Sequence, residues 1–323
     1  MSDSEFDIIS RYFSRRIANN ENIILGIGDD AAILSTPVDK QLLVSVDTLI
    51  SGVHFSEQTS AADIAYKALA VNLSDLAAMG ATPAWFTLAL TLAEVDHPWL
   101  QEFSQSLADI ASAYDIPLVG GDTTRGALSI TIQIAGHVET GCALLRSGAK
   151  PGDNIYVSGN IGDAALGLYA TQHSYTDDAL TLVERLNRPQ PRIELGQQLT
   201  GLASACIDVS DGLFADLRHL LAASGVGAIL QQDKIPLSAE AKKFVSDKPE
   251  CLDLIYNRGD DYELCFCVPA ESCSEIENIA KQLNCKLSHI GEIISGNTLQ
   301  ILNAQGKHLN PGNDNYDHFA EKI

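Results

Sequence analysis

Apolar positions along the chain follow two rhythms, one helical and one of short continuous runs. Residues 5–18 bring Phe6, Ile9, Phe13 and Ile17 to helical spacing, which predicts an amphipathic helix. Asn22-Ile23-Ile24-Leu25 and Leu42-Leu43-Val44-Ser45-Val46 are short apolar runs and predict strands. Residues 61–80, AADIAYKALAVNLSDLAAMG, are rich in Ala and Leu and stop at Gly80, the pattern of a helix with a glycine at its end. PAWFTLALTLA (83–93) and LSITIQIAGHV (128–138) predict further strands, with a helix over 99–113 between them.

The pattern breaks near 139–153, where SGAKPGD (147–153) is a turn cluster and NIYVSG (154–159) begins a new strand. Helical stretches follow at 163–170, 177–186 and 213–223. Strand-like ELCFCV (263–268), a helix near 271–283, and strand-like LSHIGEI (287–293) and LQIL (299–302) complete the chain. The fold class expected is α+β, in two mixed α/β domains of similar size, residues 1–140 and 141–323.

Charge narrows the range of partners. The 323 residues carry 21 Lys+Arg against 42 Asp+Glu, a net charge of −21. Such a surface repels nucleic-acid backbones and anionic lipid, so neither is an expected partner. No signal-peptide pattern and no apolar run long enough for a membrane span are read from the sequence. The seven cysteines form no CxxC pair, and Cys265 and Cys267 fall on one face of a predicted strand, where free thiols pack as small hydrophobes. A reducing cytoplasm is the expected location.

The chemistry lies in where the acids fall. Apolar segments repeatedly deliver a carboxylate: Asp30 follows ILGIG, Asp47 follows LLVSV, Asp122 follows PLVGG, Asp208 follows SACI, and Asp211 follows VS. Asp75 sits within an apolar helix. A carboxylate at a buried strand end is costly unless a cation or donor compensates it. Oxygen ligands without His or Cys suit Mg2+, Ca2+ or Mn2+. GIGDDAAIL (26–34) raises the same point: a glycine turn after a strand suits phosphate, yet Asp29 and Asp30 stand where the anion would sit. Bound metal ions reverse that local field. The rival reading is a dinucleotide fingerprint, Gly26-x-Gly28-x-x-Ala31, which would set two carboxylates against a bare pyrophosphate. Walker, zincin, nucleophile-elbow, EF-hand and protein-kinase signatures do not occur.

Seven motifs together carry a resemblance. GIGDDAAIL, VSVDTLISGVHF (44–55), VNLSDLAAMGATPAW (71–85), GGDTTRG (120–126), RSGAKPGD (146–153), DVSDGLFADL (208–217) and NRGDDYEL (257–264) stand in the order seen in the bacterial thiamine-monophosphate kinase family. That family is related to aminoimidazole ribonucleotide synthetase and selenophosphate synthetase. The resemblance spans nearly the whole chain and implies ATP-dependent phosphorylation of thiamine monophosphate to thiamine diphosphate. It implies that Asp30, Ser45, the Val46 carbonyl, Asp47, Asp75, Asp122, Asp208 and Asp211 hold several Mg2+ ions. Gly121, Asp122, Arg146 and Ser210 would meet ATP phosphates or their metals, with Asp47, Asp122 and Arg146 as the catalytic set. His54, Glu263 and Phe319 would meet the thiamine end. A homodimer with first-domain strands in a shared barrel is implied in the same way, with the 141–323 domain completing the ATP and substrate site.

The residues by themselves leave other readings open. His54 also reads as a core histidine, Arg146 as a surface residue, Ser210 as a helix cap, Glu263 as a partner of Arg258, and Phe319 as a packing residue. Asp29, Asp260 and Asp261 read as turn formers. A sibling ATP-dependent synthetase is a second activity, although the first cysteine is Cys142, far from the N-terminal position selenophosphate synthetase typically uses. A non-catalytic Mg-nucleotide-binding protein is a third. No stretch marks an adenine pocket.

Overall fold

The computed structural model describes residues 4–14, 22–175 and 179–309. The chain divides into two compact units, one of residues 1–76 and 81–141, the other of 77–80 and 142–323.

The first unit begins with α1 (Glu5–Ile8), which passes into a single π-helical turn over Ile9–Phe13. The predicted helix is therefore shorter than its spacing suggests, and Ile17 lies outside the described residues. β1 (Ile23–Leu25) pairs antiparallel with β2 (Ile33–Leu34). Then come β3 (Lys40–Ile50), α2 (Ala61–Ala78), β4 (Thr82–Leu92), α3 (His97–Ala113), β5 (Leu118–Arg125) and β6 (Ser129–Glu139). The main sheet has the order β3-β6-β4-β5, antiparallel except for the parallel β4–β5 pair.

Side-chain alternation explains the layering. Phe86, Leu88 and Leu90 of β4 and Ile130, Ile132 and Ile134 of β6 are buried. Ala65, Ala68, Leu69, Leu73, Leu76 and Ala77 are also buried, as expected of a helix apolar nearly all round. α3 begins where Asp96 accepts the Trp99 N–H at 3.2 Å, and buries the stripe Leu100, Phe103, Leu107 and Ile110. β3 differs, because it is an edge strand whose outward positions are apolar. Leu42, Val44, Val46 and Ile50 are 43%, 51%, 59% and 41% exposed.

β5 was not foreseen as a strand, because Gly120-Gly121 reads as a turn. Parallel pairing with β4 explains the glycine: a Cβ at Gly121 would lie 1.9 Å from the Leu88 carbonyl oxygen.

The second unit holds β7 (Asn154–Ser158), α4 (Asp163–Gln172), α5 (Leu180–Asn187), α6 (Ile193–Leu199), β8 (Ala205–Asp208), α7 (Leu213–Ser224) and β9 (Gly227–Gln231). α8 (Ala239–Asp247), α9 (Leu254–Asn257), β10 (Leu264–Val268), α10 (Cys273–Gln282), β11 (Leu287–Ile294), β12 (Leu299–Leu302) and β13 (His308–Leu309) follow. Its seven-stranded sheet runs β13-β12-β9-β11-β7-β10-β8, antiparallel except between β12 and β9. One core joins strand residues such as Ile155, Val157, Ile207 and Leu230 to helix residues such as Leu166, Leu217 and Phe244. Cys265 and Cys267 belong to it, and burial pushes the Cys265 thiol up to about 12. All seven cysteines are free. No helix among the described residues is long and apolar enough to cross a membrane.

Candidate active site

In the first unit, period-two alternation turns Ser45, Asp47 and Leu49 toward the buried side of β3. Asp75 on α2 meets them there. The Ser45 hydroxyl donates to Asp75 Oδ2. The Asp47 carboxyl is raised to about 6, by burial first and by the Asp75 charge second. Two crowded carboxylates and a hydroxyl are hard oxygen donors, and their mutual repulsion is what a divalent cation relieves. The donor set therefore fits Mg2+.

Among the described residues, no group of three or more His, Cys, Asp or Glu side chains is placed to hold a metal. Asp122 shares a register row with Ala89, Thr131 and Thr48, all but the half-buried Thr131 exposed, and a hydrogen bond of 2.8 Å joins the two threonine hydroxyls. Asp47 instead shares its row with the buried Ile132 and Leu88. Asp30 is exposed, and its N–H donates to Asp29 Oδ1 at 2.9 Å. Its loop leads into β2, not into a helix, so the dinucleotide reading of GIGDD lacks the helix N-terminus it requires. Val46 is the exposed neighbour of Asp47 on β3. His54 is half-buried; its Nδ1 accepts the Ile50 N–H at 3.0 Å, and its carbonyl receives the Lys67 ammonium at 3.3 Å.

In the second unit, Asp208 ends β8 buried, and Ser210, Asp211 and Gly212 form the turn before α7. Ser210 is not the cap. Asp216, one turn into α7, folds back so that Oδ2 accepts the Asp211 and Gly212 N–H groups at 2.9 and 3.1 Å. Burial raises its carboxyl to about 7, against the pull of these donors. The Arg146 backbone carbonyl accepts the Ser224 hydroxyl at 3.1 Å, while its exposed guanidinium makes no ion pair among the described residues.

The loop 257–263 lies directly on this turn. Asp260 N–H donates to the Ser210 carbonyl at 2.9 Å and Tyr262 N–H to Val209 at 2.8 Å. The approach is so close that a Cβ on Gly259 would sit 1.7 Å from the Ser210 oxygen. Asp260 and Tyr262 adopt φ of 72° and 51°, a conformation unusual for residues with side chains. Asp261 is buried and caps α4 through the Gly162 and Ala164 N–H groups at 2.7 and 3.3 Å.

Glu263, expected at the thiamine end, is held by arginines other than Arg258. The residue is fully buried. Its Oε1 accepts from Arg185 at 2.9 Å and from Arg192 at 2.6 Å; its Oε2 accepts from Arg192 Nε and from the Ser158 hydroxyl, each at 2.6 Å. Both oxygens are thus committed to an ion-pair hub that ties α5 and the start of α6 to β7 and β10. Phe319 lies outside the described residues. Sequence reasoning missed Asp216, Arg185, Arg192 and Ser158. An acid in the first turn after DG was a readable signal for Asp216, whereas nothing local links Arg192 to a carboxylate 71 positions away.

Comparison with known proteins places this architecture. The AIR synthase related protein N-terminal domain matches residues 28–138, and its C-terminal domain matches 150–302. The thiamine-monophosphate kinase of Salmonella typhimurium is 48% identical over 326 residues, covering 99% of both chains. The crystal structure of thiamine-monophosphate kinase from Stenotrophomonas maltophilia K279a superposes with a TM-score of 0.83 at 44% identity, covering 91% of this chain and 94% of that one. AaThiL complexed with AMPPCP and TMP gives 0.78 at 29% identity, covering 88% and 89%. The chain belongs to the thiamine-monophosphate kinase family, within the AIR synthase related proteins.

Proposed function

We propose that this protein transfers the γ-phosphoryl group of ATP to thiamine monophosphate, forming thiamine diphosphate and ADP. The observation that carries this reading is the end-to-end relationship to thiamine-monophosphate kinases. A relative has been captured with TMP and AMPPCP, an ATP analogue.

The acceptor is a phosphate monoester with a second pKa near ~6. It is mostly ionised at neutral pH and needs no general base. One of its oxygens attacks the γ-phosphorus in line, the bond to the β-phosphate oxygen breaks, and ADP leaves. The obstacle is the repulsion between two anions.

In the first unit Asp47, Asp75 and Ser45, with Asp30, the Val46 carbonyl and Asp122, and in the second unit Asp208 and Asp211, are the residues that would hold Mg2+. Mg2+ held there supplies charge neutralisation on the phosphate oxygens. Gly121, with no side chain, leaves backbone open to a phosphate. Arg146, whose guanidinium has no ion-pair partner among the described residues, and Ser210 contact the nucleotide phosphates, and the arginine offsets charge on the transferring group. Asp216 holds the backbone N–H groups of this turn in place. His54 and Phe319 meet the thiamine end, while Glu263 acts through the loop it anchors. Incubating the protein with ATP, Mg2+ and thiamine monophosphate should yield thiamine diphosphate; product from thiamine alone, or no product, would refute the assignment.

The exposed apolar face of β3 supports a homodimer, since four large apolar side chains on one strand face are an association surface rather than a solvated one. Val44→Asp should convert a dimer to a monomer by light scattering. A dimer of unchanged mass would move the interface elsewhere. The absence of a membrane-crossing helix among the described residues and the free thiols suit a cytoplasmic enzyme.

A further inference from the structure

A cavity of about 410 Å3 opens in the second unit beside the turn that follows β9. Its size is that of a small-molecule site. Three ammonium groups line it: Lys234 from the turn, Lys242 from α8 and Lys286 just before β11. Asp233 is the one acid in the lining. Acids outnumber bases by 42 to 21 in this chain, so such a concentration of positive charge is against composition. None of the three lysines makes an ion pair among the described residues; Lys286 donates instead to the neutral Asn160 Oδ1 at 3.0 Å. Burial and the neighbouring Lys242 both push the Lys286 ammonium below its usual value, against a smaller opposing pull from the Asp163 carboxylate, which places the two ammonium groups near each other.

Besides Gln232 and Ser288, the rest of the lining is mostly apolar. Ile235, Leu252 and Tyr256 belong to it, and the buried Tyr256 ring is stacked on Phe214 with centroids 5.3 Å apart. Compact, hydrated ammonium groups and a fixed aromatic in one lining match a molecule with a charged phosphate end and a ring.

We propose that this cavity binds a small ring compound bearing a phosphate or diphosphate group, with Lys234, Lys242 and Lys286 holding the anion. The site consists of second-unit residues only and uses none of the residues given roles in phosphoryl transfer. It is a second place at which a phosphorylated metabolite engages the protein.

The test is calorimetric titration of the full chain with inorganic pyrophosphate in EDTA, where sites that need a divalent cation are silent. A single saturable site is expected, weakened about tenfold or more in Lys242→Ala/Lys286→Ala. Lys281→Ala, on α10 outside the lining, should leave it unchanged, and Lys242→Arg/Lys286→Arg should retain it. Both lysines are exposed, and an unaltered circular dichroism spectrum certifies the fold; Lys286→Gln alone serves as the milder variant. No saturable binding, or an identical isotherm in the double alanine variant, overturns the proposal. ADP and thiamine diphosphate should bind tighter than pyrophosphate; equal affinities would remove the ring from it.

Discussion

Asp47→Asn should lower turnover by about 10³-fold while leaving the metal-free protein no less stable than the wild type. The Asp47 carboxyl is raised to about 6 by burial and by Asp75. An acid whose folded value lies above its unfolded value of about 3.9 favours folding below about pH 4, and loses that contribution as pH rises through its folded value. At neutral pH the ionised pair therefore costs stability, on the order of 1–3 kcal/mol, and asparagine relieves it. Magnesium should raise the melting temperature of the wild type and not of the variant. Asp122→Asn, at an exposed position, should lose activity with no metal-free change at all. Full turnover in Asp47→Asn, or an equal magnesium effect on both proteins, would remove Asp47 from the metal set.

Glu263→Gln should destabilise the fold by about 3–5 kcal/mol, a large part of the 5–15 kcal/mol typical of a domain. The wild-type carboxylate is fully buried against Arg185 and Arg192, whose side chains are each 20% exposed. Glutamine keeps the shape and leaves both guanidinium groups without their counter-charge. Arg192→Lys should reproduce much of the loss, because an ammonium cannot span both oxygens as Nε and Nη2 do. Urea unfolding reads both. A midpoint shift worth under about 1 kcal/mol for Glu263→Gln would make the hub incidental.

These two residues also mark what the sequence reveals and what it hides. β4 and β6 were legible because uninterrupted apolar runs in sheets leave few alternatives, and α2 because Ala and Leu run to Gly80. β5 was not, since local glycine signals cannot express a close approach to another strand, and the β4 neighbour of Gly121 is 33 residues earlier in the chain. The acids of the candidate site were legible as a class: each follows an apolar segment or, for Asp75, sits within an apolar helix. Their partners were not. Ser45 and Asp75 are linked by the packing of α2 on the sheet, and Glu263 is matched by arginines from two helices rather than by the adjacent Arg258. Asp260 and Tyr262 show the same limit, since both accept a left-handed backbone that their own side chains disfavour, held there by hydrogen bonds to Val209 and Ser210.

The proposed homodimer would tie the behaviour of this enzyme to dilution through the apolar outer face of β3. In it, a protomer that leaves Leu42, Val44, Val46 and Ile50 in water would gain stability on meeting a copy of itself. Its heat resistance should then climb with the amount of protein in the tube, so that values measured at nanomolar and at micromolar levels describe different species.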